Sequence, residues 1–238
     1  MAANAFVTTI QEIIPGLPLT LVLTAVPLVL ALVPGVLLGY LRSRGRLAYY
    51  LTGAYVTLFR SLPVVLQILF AYSWLPSPLA GLAAARGWTV DVFAISPVWY
   101  AIAVLFFNTL AALIEVYRSA FSAVPAREVE AARAAGFAES RVFIQVRLPQ
   151  AFMFALPNLA SATVNLVRMS ALAYLMTVPE MTGRARMAAG LTFDTITAYG
   201  VLLLAYVALC FLIDSAYDLI YGRFMRRLHG TAGVRGLT

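Results

Sequence analysis

The side chains of this 238-residue chain that could do chemistry form no set that is typical of a catalytic or metal site. Cys210 and His229 are each the only residue of their type, which excludes an intrachain disulfide, a thiolate metal cluster and an intramembrane Ser–His pair. Lys is absent, so a GxxxxGK[ST] phosphate-binding loop cannot form. The closely spaced carboxylates of Asp214 and Asp218 lie near one end of an apolar run, unsuited to intramembrane hydrolysis. We predict no enzyme activity, metal site or cofactor, and any ATP and Mg²⁺ would be bound by another chain.

Three charged residues lie in or at the ends of apolar runs. A charge at the bilayer centre costs at least ~2.5 kcal/mol, so such groups face partners, water or a transport path. Glu115 and Arg118 are three residues apart on one helix face and can pair. Alternatively, Glu115 recognises an amino or cationic group on the path. Arg168 is expected at a central subunit interface, meeting either a carboxylate of the protein or that of a substrate.

A charge-rich segment, residues 124–149, separates two long apolar runs. Pro125 suits the first turn of a helix, and Gly136 is placed to end that helix in a left-handed C-cap. Residues 140–146 are expected to form a second short helix that stops before Pro149. The small alanine side chains of the first helix could enter a groove on another protein. The alternative is an ordinary alanine-rich connector.

The composition indicates a membrane protein. The chain is 62% hydrophobic and 11% charged, whereas soluble domains carry about 25% charged residues. We predict an all-α membrane protein of one domain, residues 1–238, in which residues 47–60 form an interfacial helix with a structural Arg60, and residues 76–96 form a loop. The five predicted spans are residues 17–41, 62–75, 97–117, 151–178 and 195–221.

Arginine positions predict the orientation. With the N-terminus outside and the C-terminus in the cytoplasm, five spans place eleven arginines on the cytoplasmic side and three outside. This distribution explains the net charge of +7 without nucleic acid as a partner. The cytoplasmic arginines are residues 42, 44, 46, 127, 133, 141, 147, 223, 226, 227 and 235, and the outer ones are residues 86, 184 and 186.

The spacing within residues 124–149 resembles the membrane subunits of ATP-binding-cassette (ABC) importers. Their signature is EAA, three residues, Gly, nine residues and Ile-x-Leu-Pro, and the only departure here is valine for isoleucine. The resemblance implies the transmembrane domain of a type I ABC importer, in which a cytoplasmic coupling helix docks in a cleft of the ATPase subunit. The residues that carry it are Glu130, Ala131, Ala132, Gly136, Val146, Leu148 and Pro149.

A narrower resemblance, over about residues 17–228, is to the polar amino-acid uptake branch of these permeases. It is similar to the subunits for histidine, for lysine, arginine and ornithine, or for opines. The matching segments are Phe59–Pro63, Asn108–Glu115, Leu148–Ala151, Arg168–Ala173 and Thr177–Glu180. The departures are Met169, where relatives often have Ser or Asp, and Arg127-Glu128, which replaces a common Gly-Gln. The candidates for the transport path are Asn108, Glu115, Arg168 and Ser170.

This resemblance implies an importer subunit in the bacterial inner membrane. The implied partners are a second permease subunit, identical or homologous, two ATPase subunits, an extracytoplasmic binding protein and membrane lipid. A cationic amino acid is the first expectation for the substrate, and acidic or other polar amino acids are the second. A passive channel or membrane scaffold would explain the spans but not the EAA spacing.

Overall fold

The structure, a computed structural model, describes residues 2–89 and 91–232, and within these ranges it contains helices and no strand. Arg235, one of the arginines used to predict orientation, lies outside the described residues. Short 3-10 segments lie at Ile14–Gly16, Val92–Ala94 and Ala171–Met176, and a π-helical segment at Val142–Arg147. The α-helices are α1 (Ala2–Ile13), α2 (Leu17–Arg44), α3 (Arg46–Ser61), α4 (Val64–Trp74), α5 (Pro76–Ala85), α6 (Pro97–Ala123), α7 (Ala126–Ala134), α8 (Glu139–Arg141), α9 (Leu148–Ser170), α10 (Met181–Thr192) and α11 (Thr195–Ala232).

Four helical runs among the described residues are long and apolar enough to cross a membrane. A fifth crossing exists only if α3 and α4, bent by 91° relative to each other, are counted as one span. The predicted all-α class with about five spans is therefore confirmed, although each long run extends beyond at least one of its predicted limits. The four runs are Phe6–Arg44, Pro97–Ala123, Glu139–Met176 and Thr195–Arg226.

The second predicted span, residues 62–75, is wrong as an independent crossing. Helix α4 has 11 residues, and its length of about 16 Å is well short of the ~30 Å hydrocarbon layer. Pro63 disfavours helical backbone at Leu62, which is extended (φ −87°, ψ 129°), so the chain bends there. The predicted loop is also wrong over residues 76–85, because Pro76 begins α5 and alanines and leucines continue it.

Helices α2 and α6 pack closely through two glycines with GxxxG spacing. A Cβ atom built on Gly35 would lie 2.8 Å from the Cβ of Leu113, and one built on Gly39 would lie 2.7 Å from the Cβ of Tyr117. Small residues allow backbones to approach in this way inside membranes, where apolar burial does not drive helix association. The contact fixes α6, the most buried of the four long runs, against the N-terminal span.

A broken segment connects α9 to α10. The 3-10 turn after α9 ends at Thr177, which adopts a left-handed conformation (φ 60°). Glu180 is fully buried and accepts two backbone N–H groups from the first turn of α10 at 2.8 and 2.9 Å, and the hydroxyl of Tyr206 at 3.0 Å. The Met181 N–H donates to the hydroxyl of Thr20 at 3.2 Å. These bonds join α10 to α2 and α11.

Candidate functional site

The EAA segment, residues 124–149, begins with a helix that ends as its sequence predicts. Gly136 has φ 81°, its N–H donates to the carbonyl of Arg133 at 2.9 Å, and the Phe137 N–H donates to the carbonyl of Ala132 at 3.2 Å. These two hydrogen bonds form a Schellman motif, which satisfies carbonyls at the end of α7. The predicted glycine C-cap is confirmed.

The second half of the EAA segment differs from its prediction. Instead of stopping before Pro149, α8 passes through the π-helical segment directly into α9, whose second residue is Pro149. The Leu148 N–H donates to the carbonyl of Phe143, five residues earlier. Local π geometry of this kind lets a helix continue through a proline, so the EAA segment is a direct extension of a membrane span.

The EAA segment presents most of its surface to solvent. Val129 and Val142 are buried and anchor it, whereas Glu130, Ala131 and Gly136 are exposed. Of the remaining motif residues, Pro149 is exposed and Ala132, Val146 and Leu148 are half-buried.

Ionic contacts tie this segment to the end of α2. Glu139 accepts a hydrogen bond from Arg133 at 2.5 Å and lies 3.5 Å from Arg44, whose guanidinium also donates to the hydroxyl of Tyr40 at 2.7 Å. The Tyr40 ring contacts Phe143 with centroids 4.4 Å apart. Movement of the EAA segment would therefore be passed to two spans, α2 and α9.

A polar groove runs between α6 and α9, beside the bend between α3 and α4. It consists of a cleft of about 420 Å³ and an adjoining cleft of about 210 Å³, and Arg60, Ala112, Ala162 and Asn165 line both. The groove extends along α6 from Asn108 to Ser119, about 16 Å at the helical rise. Its other polar lining residues are Thr109, Glu115, Arg118, Asn158 and Ser161.

Glu115 lies at the centre of an ionic cluster in this groove. It pairs with Arg118, as the sequence predicts, and its second carboxylate oxygen lies 3.4 Å from Arg42 of α2. The side chain of Arg42 is 10% exposed, and its Nε and Nη1 atoms have no hydrogen-bond partner among the described residues. Arg60, predicted to be interfacial and structural, lines the groove.

Of the other three predicted path residues, one lines the groove and two do not. Asn108 is buried at the groove and donates to the amide oxygen of Gln67 at 2.8 Å. Ser170 is fully buried outside the groove lining, with its hydroxyl bonded to the Val167 carbonyl. Arg168, predicted to lie at a central subunit interface, is in the last turn of α9, which ends at Ser170. It is exposed and forms no ion pair within the described part of the chain.

On the α9 side, sequence reasoning identified Arg168 but not the three polar residues that line the groove, Asn158, Ser161 and Asn165. Asn158, Ser161, Asn165 and Arg168 are all exposed and recur at intervals of three and four residues, which places them on one helix face. This polar spacing within an otherwise apolar run was the available signal. A polar stripe on the outside of a membrane helix requires water or another protein beside it.

Comparison with known families identifies the class of protein. The profile of the binding-protein-dependent transport system inner membrane components matches residues 31–227, and the chain belongs to this family. It is therefore a non-catalytic membrane permease component, as predicted, and an inner-membrane protein.

Individual relatives are distant but cover most of the chain. The L-cystine transport system permease protein TcyL of Bacillus subtilis is 26% identical over 86% of this chain and 85% of its own length. The octopine transport system permease protein OccM of Rhizobium meliloti is 29% identical over 89% of this chain and 85% of its own. The histidine/lysine/arginine/ornithine transport system permease protein HisM of Salmonella typhimurium is 28% identical over 72% of each.

Two solved structures share the fold. The crystal structure of an amino acid ABC transporter with histidines superimposes with a TM-score of 0.74 and 21% identity, covering 91% of this chain and 96% of that chain. An inward-facing structure of the MetNI methionine ABC transporter has a TM-score of 0.66 and 21% identity, covering 94% and 97%. These likenesses confirm the predicted type I importer fold.

Proposed function

We propose that this chain is the permease subunit of an ATP-driven importer of polar amino acids in the bacterial inner membrane. It works with a second permease subunit, identical or homologous, two ATPase subunits that bind ATP and Mg²⁺, and an extracytoplasmic binding protein. Its N-terminus lies outside and its C-terminus in the cytoplasm. The whole chain, residues 1–238, forms one permease domain.

The observation that carries this proposal is the exposed EAA segment, which continues as helix into a membrane span. Its motif residues lie on α7, in the turn after it, in the π-helical segment and in the first turn of α9. The small exposed surface of Ala131 fits a groove on an ATPase, and Gly136 sets the turn. Closure of the ATPase pair would displace this segment and, through α9 and the Arg44–Glu139 contact, rotate the spans.

The groove supports the transport part of the proposal. Lipid would leave the exposed polar face of α9 unsatisfied, so we assign this face to the second permease subunit and to the water-filled path between them. Asn108 and Glu115 lie on that path, and Arg168 lies at its outer end, on the same face. Ser170, fully buried beside this end, supports the backbone there.

Relatives and sequence together indicate the substrate class. The three relatives named above are permeases for L-cystine, for octopine, and for histidine, lysine, arginine and ornithine. Together with the resemblance over residues 168–180, these names favour an amino acid or opine, with a cationic amino acid as the first candidate. Acidic and other polar amino acids form the second group to test.

The decisive experiment is co-expression of the chain with its genomic neighbours, followed by purification and ATPase assays. A soluble ATPase should co-purify, and the loaded binding protein should stimulate its hydrolysis. Ala131→Trp should abolish co-purification or stimulation, whereas Ala84→Trp, at an exposed helical alanine of α5, should change neither. A passive channel or scaffold would co-purify with no ATPase, and that result would refute the proposal.

A further inference from the structure

We infer that Arg60 and Arg118 form a subsite for the carboxylate of the transported molecule, and that Glu115 positions Arg118 and does not bind a cation. The inference rests on the proposed function, because it assigns a role to the groove that we place on the transport path. It reverses the expectation that Glu115 would recognise an amino group.

Both oxygens of Glu115 face guanidinium groups, and only Oε1 accepts hydrogen bonds from one. Oε1 accepts from Nε of Arg118 at 2.8 Å and from a second nitrogen of the same side chain. Oε2 is shielded from solvent, forms no hydrogen bond and lies 3.4 Å from Arg42, which approaches from α2 behind the groove. A substrate ammonium group would have to displace one of these arginines. The carboxylate therefore holds Arg118 in place, and the outer side of that guanidinium remains available.

The groove is positively charged. Of the residues that line it, Arg60 and Arg118 contribute two positive charges and Glu115 one negative charge, a net charge of +1, and Arg42 behind the groove adds a further positive charge. No other carboxylate lines either cleft among the described residues. Charges interact more strongly away from bulk water, so this arrangement attracts an anionic group and repels a cationic one. Guanidinium groups also match carboxylates in shape, since they can donate two parallel hydrogen bonds.

Size and position agree with a substrate subsite. The larger cleft, about 420 Å³, lies within the range of roughly 300–1,000 Å³ that small-molecule sites occupy. Asn158, Ser161 and Asn165 supply further polar groups on its α9 side. Arg118 is five residues, about 8 Å, from the end of α6 that leads into the EAA segment. The subsite thus serves the half of the path nearest the ATPases, where it holds the carboxylate before release.

The test uses the purified complex without its binding protein and measures equilibrium binding of radiolabelled L-arginine, L-histidine and L-glutamate. The wild-type complex should bind at least one of them, and L-argininamide, which lacks a carboxylate, should fail to compete. Arg118→Gln should raise Kd at least about tenfold, and Arg118→Lys, which keeps the charge, should raise it less. Arg86→Gln, outside the groove, should leave Kd unchanged. Glu115→Gln, which frees Arg118, should raise Kd without making the amide a competitor.

Several outcomes would overturn the subsite. These are equal competition by the amide, unchanged binding in Arg118→Gln, or no binding of any of the three amino acids. The purified complex could instead retain phosphatidylglycerol, and lose it in Arg118→Gln. That result would assign the two arginines to a lipid headgroup. If Arg118→Gln does not assemble, the comparison of acid and amide on the wild-type complex decides the question. Co-purification of the ATPase tests the proposed function separately, since a complex can assemble and still lack the subsite.

Discussion

At the residue scale, Gly136 is a position where the backbone conformation determines which residue can be accommodated. Its φ of 81° is costly for other residues, while a Cβ atom there would meet nothing within 4 Å, so conformation and not crowding requires glycine. Gly136→Ala should destabilise the end of α7 by about 1–2 kcal/mol. Amide hydrogen exchange over residues 126–138 should accelerate about five- to thirtyfold, since 1.4 kcal/mol corresponds to a factor of ten.

Two matched variants check that explanation. Gly136→Asn should have a smaller effect, because asparagine tolerates the left-handed conformation better than alanine. Gly190→Ala, at a helical glycine with equally open surroundings, should not accelerate exchange in α10. Equal exchange in the Ala and Asn variants would mean that backbone strain is not the cause.

Glu180, outside the spans, gives a prediction about pH. Burial raises its pKa above the ordinary value, although hydrogen bonds from Thr182, Gly183 and Tyr206 oppose the shift. The folded state therefore retains this proton to higher pH than the unfolded state does. The stability from this group is fully present below the unfolded pKa of about 4.3, and it is lost as pH rises through the folded pKa.

The measurement compares thermal stability of the wild-type protein with Glu180→Gln in detergent. The Tm of the wild-type protein relative to the variant should be highest near pH 4 and should fall as pH rises toward 7. For Glu128→Gln, at an exposed carboxylate, the Tm difference from the wild-type protein should not fall in this way between pH 4 and 7. A wild-type protein that gains stability relative to Glu180→Gln as pH rises would reverse the sign and contradict the assignment.

At the element scale, features with a local cause were predictable. The end of α7 follows from the helix-forming residues before Gly136 and from glycine's access to positive φ. The long spans follow from apolar length. By contrast, α10 depends on contacts that sequence patterns do not encode, such as the buried Glu180 and the approach of Gly16, where a Cβ atom would lie 2.6 Å from the Met181 nitrogen.

The groove was predictable on one side only. Glu115 and Asn108 matched a family pattern, and a pairing with Arg118 follows from helical spacing. Arg42 was assigned to a flanking surface, and nothing in its local sequence indicates that it turns back to Glu115, far along the chain. Asn165 shares its polar spacing with Asn158 and Ser161, but that spacing does not tell which helix faces them.

The contact between α2 and α6 gives a prediction for a whole element. Gly39→Leu places a side chain where even a Cβ atom would lie 2.7 Å from Tyr117 and 2.9 Å from the Ile114 carbonyl oxygen, so the helices must separate. We expect a loss of roughly 1–3 kcal/mol, the usual cost of overpacking. A lowered Tm and a smaller yield of the assembled complex would report it.

The control is Gly200→Leu, in α11, where a Cβ atom would meet nothing within 4 Å. That variant should keep the wild-type Tm to within experimental error. If both variants lowered Tm equally, the loss would come from helix propensity or insertion and not from the α2–α6 contact.

At the scale of the whole molecule, exposed surface divides into apolar and polar regions. Helix α11 has large apolar residues that are more than half exposed, which suits contact with lipid tails. They are Leu203, Leu204, Phe211 and Leu212. The α9 face of the groove, with Asn158 and Asn165, is exposed but polar. One surface is therefore suited to lipid and another to a protein partner, which agrees with the second permease subunit that we propose.

Docking of the EAA segment on an ATPase requires this segment to lie on the cytoplasmic side of the membrane. In a Cys210→Ser background, single cysteines are introduced by Phe137→Cys in the EAA segment and by Trp88→Cys after α5. Both positions are exposed, at 41% and 55%, so an impermeant maleimide can reach either one from the side on which it lies. The arginine distribution predicts labelling at 88 in intact spheroplasts and labelling at 137 only after permeabilisation. The two positions are expected on opposite sides of the membrane. Labelling at 137 but not at 88 in intact spheroplasts would refute ATPase coupling through this segment. Labelling at both positions without permeabilisation would show that the spheroplasts had leaked.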